Sequence, residues 1–281
     1  MSRVCILTDS SAQFSTPNFQ GHELVTVLPL NILFKDKLYQ DGAELSIKHL
    51  PISARGGSEL RVLPPDRETL RTSLMALGEV YENILIILLS AHLNPATAAV
   101  EQIIASIHCP AHTYLIDSQS MGVGLGLLVE EVAAAALEEM EISTILHLTY
   151  NLIPRVYTIF CTQNLSYLHN LGQLDPAQAL VGELMGIIPF FVMEGGRMLP
   201  IQKARNPRAL VDIFHNFITE FSALRHIALI YGAPFFTNEA HLLRERILNE
   251  FPNIPLIDQV MNFATAAMLG PRSLGVVTMI N

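Results

Sequence analysis

Short, strongly apolar runs alternate with amphipathic segments along most of the sequence, and this alternation restricts the fold more than any other feature. The runs are dense in Ile, Leu, Val and Phe, which is typical of strands covered on both faces. In the first half, the alternation predicts a doubly wound, mostly parallel sheet. The predicted strands are 3–8, 24–34, 83–90, 112–117, 156–162, 187–193, 197–202, 226–231, 255–260 and 274–280.

The second half differs because two of its predicted strands are close neighbours in sequence. They flank Glu194-Gly195-Gly196-Arg197, a pattern that predicts a β-hairpin and hence a mixed sheet. A chain of 281 residues is also too long for one small core. We therefore predict an α/β protein of two domains, an N-terminal one at 1–152 and a C-terminal one at 153–281, with a ligand cleft between them.

Residues that favour helix N-termini mark several predicted helix starts. Asp66 follows two prolines, Asp175 precedes Pro176, and Asn94-Pro95 repeats that arrangement after a predicted strand. Ser143 marks a further start before an apolar run. The stretch 36–42 is predicted to be a turn-rich excursion.

The composition predicts an unusual amount of buried apolar surface. Apolar residues make up 50% of the chain and charged residues 15%, against ~25% charged in typical soluble domains. The mean hydropathy is +0.36, so the protein either hides apolar surface in an interface or encloses something apolar. No apolar run reaches the ~18 residues of a membrane span, and no basic leader is visible. We expect neither stable membrane insertion nor secretion.

Charge and cysteine content narrow the expected partners and location. The net charge of −9 comes without a basic run, so nucleic acid is not expected as a partner. Cys5, Cys109 and Cys161 are far apart and odd in number, as expected of reduced thiols in the cytoplasm. The stretch HCPAH (108–112) contains potential metal ligands. Its proline interrupts them and no second cluster is near, so no metal site is predicted.

Gly122, Gly124 and Gly126 follow a predicted strand but do not form a nucleotide-binding motif. Their spacing is G-x-G-x-G, whereas a dinucleotide fingerprint needs G-x-G-x-x-G and a later acidic residue. No phosphate-binding loop with a lysine occurs either, so no cofactor is expected. These glycines are instead predicted to let a helix pack closely on the sheet.

Polar residues gather at the predicted strand ends. Asp9-Ser10-Ser11, Asn94 and Asp117-Ser118 would share the carboxyl edge of a parallel sheet, where ligands bind in such folds. Helix capping explains each of them singly. The alternative is a stand-alone transferase or hydrolase that uses Asp9 and Ser10. It has little support, because Ser11 stands where a second carboxylate would help and no G-x-S-x-G motif occurs.

Six segments together resemble the DegV family over nearly the whole chain. They occur in the family's order: VCILTDSSAQF, VTVLPLNILFKDKLYQDG, TYLIDSQSMGVGLGLLVEEVA, FCTQNLSYLHNLGQL, GIIPFFVMEGGRMLPIQKAR and MLGPRSLGVV. The resemblance implies two α/β domains that hold a long-chain fatty acid, with its tail in a buried tunnel and its carboxylate at the interdomain cleft. It also implies a binding protein that performs no chemistry itself and presents the acid to a separate fatty acid kinase.

The sequence departs from the family where the carboxylate should bind. Arg61-Val62-Leu63-Pro64 replaces Thr-Ser-x-Pro, and Asn94-Pro95-Ala96 replaces Ser-Gly-Thr. Gln173 stands in place of an arginine, Met268 in place of a histidine, and Arg272 in place of the last glycine of Gly-Pro-Gly. The hydroxyl, histidine and arginine side chains that would contact the carboxylate in the family are thus all replaced in this sequence.

We interpret these departures as a relocation of charge. Arg61 and Arg272 replace the lost arginine, and a guanidinium can hold a carboxylate through two hydrogen bonds. The predicted ligand-binding residues are Ser10, Arg61, Asn94, Ser118, Gln173, Met268 and Arg272. The remaining alternative is a divergent member that binds no lipid because its own side chains fill the tunnel.

Overall fold

The computed structural model describes residues 4–42, 44–54, 60–232 and 236–281. Within them, the strands are β1 (Val4–Asp9), β2 (Val25–Leu28), β3 (Asn31–Phe34), β4 (Lys37–Gln40), β5 (Leu60–Leu63), β6 (Asn83–Leu88), β7 (His112–Asp117), β8 (Val156–Thr162), β9 (Ile188–Glu194), β10 (Arg197–Ala204), β11 (Leu224–Tyr231), β12 (Leu256–Val260) and β13 (Ser273–Ile280). The α-helices are α1 (Arg67–Val80), α2 (Ala96–Ser106), α3 (Val123–Leu137), α4 (Ile142–Leu152), α5 (Leu165–Asn170), α6 (Pro176–Leu184), α7 (Pro207–Thr219), α8 (Thr237–Glu250) and α9 (Phe263–Leu269).

The first sheet is parallel throughout, as predicted for the first half. Its order is β2-β1-β6-β7, so β1 lies inside the sheet and the strand order reverses there. Every residue of β1 and β6 is buried, which explains their continuous apolar sequences. The carboxyl ends of these two strands lie side by side, as a switch-point ligand edge requires.

The predicted strand 24–34 is wrong as a single element, because it forms two strands in different sheets. β2 ends at Leu28, and Pro29 follows without an N–H to continue the ladder. β3 then pairs with β4 and β5 in a separate antiparallel sheet of order β4-β3-β5. The stretch predicted as a turn-rich excursion contains β4. Lys35 and Asp36 form its two-residue turn, both with positive φ (52° and 61°).

The second sheet is mixed, as predicted. Its order is β10-β9-β8-β13-β11-β12, and β11–β12 is its parallel pair. β9 and β10 form the predicted hairpin, and Gly195 and Gly196 both take a positive φ at its turn. The hydroxyl of Ser90, just beyond β6, donates a hydrogen bond to the carbonyl of Gly196 (2.7 Å). The first half of the chain therefore contacts the hairpin directly.

Three of the four predicted helix starts are confirmed and one is wrong. The side chains of Asp66 and Asp175 accept backbone N–H bonds at the starts of α1 and α6, as predicted. Asn94 bonds through Oδ1 to the N–H of Ala96 at the start of α2 (2.9 Å). The start predicted at Ser143 is wrong, because α4 begins at Ile142 and Glu141 precedes it.

Two helices lie within the apolar interior of the molecule. α3 packs against β1 and β6 of the parallel sheet and against β8 and β13 of the mixed sheet. All residues of α9 are buried, and this helix packs against α5 and β5. Helices enclosed in this way account for the high apolar content. Among the described residues, no helix has both the length and the apolar character needed to cross a bilayer.

Candidate ligand-binding site between the two halves

Asp9, at the end of β1, is fully buried and joins two strands of the parallel sheet. Its Oδ1 accepts a hydrogen bond from the N–H of Ser11 (2.9 Å), and its Oδ2 accepts one from the N–H of Leu89 (2.7 Å). Burial raises the pKa of Asp9, although these bonds act in the opposite direction. Because both oxygens are bonded inside the protein, the geometry does not favour a nucleophilic role for this carboxylate.

The two serines predicted at the site bond within the first sheet's edge. The hydroxyl of Ser10 donates to Oδ2 of Asp41 (2.6 Å) and accepts from the N–H of Leu30 (3.0 Å). It thereby links β1 to the start of β3. The hydroxyl of Ser118 accepts from the N–H of Ser120 (3.1 Å). Neither serine is among the described residues that line a cavity of about 190 Å³ between β5 and α9.

A cavity of about 190 Å³ lies between elements of the two halves. Arg61 of β5 and Met268 of α9 both line it, so two predicted site residues meet there. Arg61 is exposed, whereas Met268 is 1% exposed. The other lining residues, most of them apolar, are Leu60, Val62, Leu63, Leu93, Pro95, Tyr167, Asn170, Leu171 and Ala267. We call this space the Arg61 cavity.

Asn94 and Gln173 support the walls of the Arg61 cavity. Nδ2 of Asn94 donates to the carbonyl of Val62 (2.8 Å), which ties β5 to the start of α2. Gln173 lies in the loop after α5, and its Nε2 is 3.5 Å from the carbonyl oxygen of His92. The loops on opposite sides of the cavity are therefore in contact.

Two buried residues near the start of α5, Asn164 and Tyr167, were not predicted from the sequence and hold neighbouring segments in place. Asn164 donates to the carbonyl of Ile52 (2.5 Å) and accepts from the N–H of Arg272 (2.6 Å). The hydroxyl of Tyr167 donates to the carbonyl of Pro51 (2.5 Å). These bonds hold the segment before β5 and the turn after α9 against α5. Arg272 thus follows α9 but is not among the cavity-lining residues.

A second, smaller cavity is almost entirely apolar. It has a volume of about 30 Å³ and lies where α3 and α9 face the mixed sheet. Its walls include Met121, Phe160, Met261 and Leu269. Because Thr265 and Leu269 line this cavity while Ala267 and Met268 line the Arg61 cavity, α9 contributes to both. A space of this size holds about one water molecule. We call it the apolar cavity.

Two further features bear on chemistry. Among the described residues, no group of three or more His, Cys, Asp or Glu side chains is placed to hold a metal ion. The cysteines at positions 5, 109 and 161 are free thiols, and burial raises the pKa of Cys5 to about 12. Such a thiol is a poor nucleophile at neutral pH.

The architecture defines a class: α/β proteins with one parallel and one mixed sheet and a cavity between the two halves. Sequence comparison places the chain within that class. The family model described as "Uncharacterised protein, DegV family" matches residues 3–281. The chain belongs to the DegV family.

Relatives and solved structures agree with this assignment. A DegV domain-containing protein of Deinococcus radiodurans is 28% identical over 75% of this chain and 74% of its own length. A DegV family protein from Thermus thermophilus, described by its fatty acid binding, superposes with a TM-score of 0.85 at 19% identity, covering 99% of this chain and 100% of its own. The fatty acid kinase (Fak) B3 protein of Streptococcus pneumoniae, loaded with linoleic acid, gives 0.84 at 18% identity and covers 100% of both chains.

Proposed function

We propose that this protein binds a long-chain fatty acid between its two halves, with the carboxylate at the Arg61 cavity and the acyl chain along α9. One observation carries the proposal: the walls of this cavity come from both halves and combine mostly apolar side chains with the guanidinium of Arg61. Such walls suit an amphiphile with one anionic end. The proposal includes two domains, at 1–152 and 153–281, with the cavity between them.

The acyl chain needs more room than the apolar cavity provides in this structure. Met121 and Met261 line that cavity, and an unbranched thioether side chain adapts readily to a new neighbour. Burying ~15 methylenes contributes ~12 kcal/mol gross. Forcing extra groups into a packed core typically costs ~1–3 kcal/mol. We therefore expect the methionine side chains to move aside when the acid binds.

The head group is the part of the site that differs from the family pattern. In our proposal, Arg61 holds the carboxylate in place of the arginine lost at Gln173, and Arg272 adds positive charge from the turn after α9. Met268 contributes apolar contact where the family has a histidine. Ser10 and Ser118 stay predictions, and their hydroxyls already bond inside the protein.

We further propose that the protein is a cytoplasmic carrier that presents the acid to a partner kinase and catalyses no reaction. The solvent exposure of Arg61 supports this, because a carboxylate beside it would be accessible to a second protein. Both carboxylate oxygens of Asp9 accept backbone hydrogen bonds, which supports the proposal that Asp9 does not act as a nucleophile. Three free thiols support a reducing compartment.

The Arg61→Ala variant tests the head-group assignment. Delipidated protein is titrated with a fluorescent long-chain fatty acid, and Kd is compared with that of the unaltered protein. A hydrogen bond to a charged group contributes ~1.5–3 kcal/mol. Because Arg61 is exposed, we expect the lower end, a Kd about tenfold weaker.

Arg208→Ala is the matched control, because it removes an exposed arginine from α7, away from the cavity. It should leave Kd unchanged. An unchanged Kd in Arg61→Ala would contradict the assignment of the carboxylate to Arg61, but it would leave the proposed binding of a fatty acid intact. Absence of binding by the unaltered protein would contradict the proposed function itself.

A further inference from the structure

Two buried hydroxyl groups line the apolar cavity, and the proposed fatty acid site gives neither of them a role. Thr158 is 9% exposed and Thr265 is 4% exposed, and both residues line this cavity. Among the described residues, the Oγ1 atom of each has no hydrogen-bond partner. Because buried hydroxyl groups are usually hydrogen-bonded, the pair indicates that a polar group belongs between them.

The two threonines reach the apolar cavity from different walls. Thr158 lies on β8, and Phe160, two residues further along the same face of the strand, also lines the cavity. Thr158 pairs with Val277 of β13, which is a further lining residue. Thr265 lies on α9 one turn before Leu269, which lines the cavity as well. The mixed sheet and α9 therefore each contribute one hydroxyl group to the same small space.

The local structure leaves the hydroxyl group of Thr265 available for an occupant. A threonine inside a helix can bond back to a carbonyl of the preceding turn, but within the described part of the chain this one does not. Gly122 keeps the space beside it open, because a Cβ at that position would lie 3.2 Å from Oγ1 of Thr265. Gly275, in the sheet wall, likewise has no side chain to fill the cavity.

The chemistry of the two threonines favours one kind of occupant. The cavity volume of about 30 Å³ is enough for one water molecule or one hydroxyl group. A hydroxyl group both donates and accepts, so a single one can bond to Thr158 and Thr265 together. A methylene group in the same place excludes water and leaves both threonine hydroxyls without a partner, which is unfavourable in a protein interior. A site that bonds a ligand hydroxyl in this way discriminates against the analogue that lacks it.

We infer that the acyl chain this protein prefers carries a hydroxyl group, which bonds to Thr158 and Thr265 in the apolar cavity. This inference rests on the proposed fatty acid site and names the class of acid that it takes. The apolar cavity and the Arg61 cavity share no described lining residue, so the hydroxyl group lies away from the carboxylate. The preferred ligand is therefore an acid hydroxylated in the middle of its chain, and the two threonines determine that specificity.

The test is titration of delipidated protein with stearic acid and with its 2-, 10- and 12-hydroxy derivatives. We expect the 10- or the 12-hydroxy acid to bind at least tenfold more tightly than stearic acid. The 2-hydroxy acid should bind like stearic acid, because its hydroxyl group stays beside the carboxylate. Binding of stearic acid with no gain from either mid-chain hydroxyl would overturn this inference and leave the proposed function intact. Binding of none of the four acids would contradict the proposed function, and this inference with it.

Thr158→Val combined with Thr265→Val removes both hydroxyl groups and keeps the side-chain shapes. This variant should bind the preferred hydroxy acid at least tenfold more weakly and stearic acid at least as tightly as the unaltered protein does, with no loss in Tm. Thr278→Val is the matched control. Thr278 is also buried, and its Oγ1 has no partner among the described residues, but it does not line the apolar cavity. The control should keep the preference, and a preference that survives in the double variant would overturn the inference.

Discussion

At the residue scale, buried polar groups at the strand ends hold the two sheets of the first half together. Asp9 bonds to the backbone of Ser11 and Leu89, and Ser10 bonds to Asp41 and to the backbone of Leu30. The bond of Asp9 to Leu89 and the two bonds of Ser10 join segments that are distant in sequence. These residues therefore shape the edge on which the cavity-forming loops are built.

Asp9→Asn should destabilise the protein by ~1–3 kcal/mol, because an amide cannot accept from both N–H groups. Burial raises the folded-state pKa of Asp9 above its ordinary value of 3.8. A raised folded-state pKa gives stability that is fully present below the unfolded pKa and is lost as pH rises through the folded pKa. The advantage of the unaltered protein should therefore shrink as pH rises above about 4.

The measurement is urea unfolding of both proteins between pH 4 and pH 8. Comparing the two proteins at each pH removes the contribution of the other carboxyl groups that burial affects, Asp41 and Glu130. An advantage that grows with pH would mean that the hydrogen bonds from Ser11 and Leu89 outweigh burial and lower the pKa of Asp9, and it would contradict this prediction.

The sequence predicts where polar side chains gather, but it does not predict which groups these side chains bond to. Asp9, Asn94 and Asp117 are placed by the strand pattern alone. The partner of Ser10 is Asp41, which lies 31 residues away in another sheet. Its position depends on the path of β3 and β4. Asn164 and Tyr167 were missed for the same reason, since their partners lie before β5.

At the element scale, the strands with continuous apolar sequence were predictable and the small sheet was not. β8 matches its predicted range, and the hairpin of β9 and β10 was marked by two glycines. β4 has exposed or half-buried residues throughout, so no apolar run indicates it. Its turn uses Lys35-Asp36 in place of the usual Asn-Gly.

Gly126→Ala tests the close approach of α3 to the loop after β1. A Cβ there would lie 2.0 Å from the carbonyl oxygen of Gln13, a backbone atom that cannot move alone. We expect ~1–3 kcal/mol of destabilisation by overpacking, measured by urea unfolding.

Gly182→Ala in α6 provides the comparison. Its Cβ would meet only the flexible end of Leu165, at 2.3 Å, and alanine favours the helix by ~0.5–1 kcal/mol. This variant should be near neutral. Equal effects of the two substitutions would show that α3 does not depend on the contact.

At the scale of the whole molecule, the composition follows from enclosing α3 and α9. Eleven of the 15 residues of α3 and every residue of α9 are buried, so both helices are apolar around most of their surface. The composition predicted either apolar surface hidden in an interface or an enclosed apolar group, and the family resemblance implied a fatty acid as that group. Which side chains line the Arg61 cavity depends on how the two halves pack, and local sequence does not encode that packing.

The central claim is that the protein carries a long-chain fatty acid between its two halves. Mass spectrometry of an organic extract from the natively purified protein tests it most directly. We predict a long-chain fatty acid near one equivalent per chain, and a higher Tm for the loaded protein than for the delipidated one. Protein that purifies without lipid and shows no change in Tm when fatty acid is added would contradict the account.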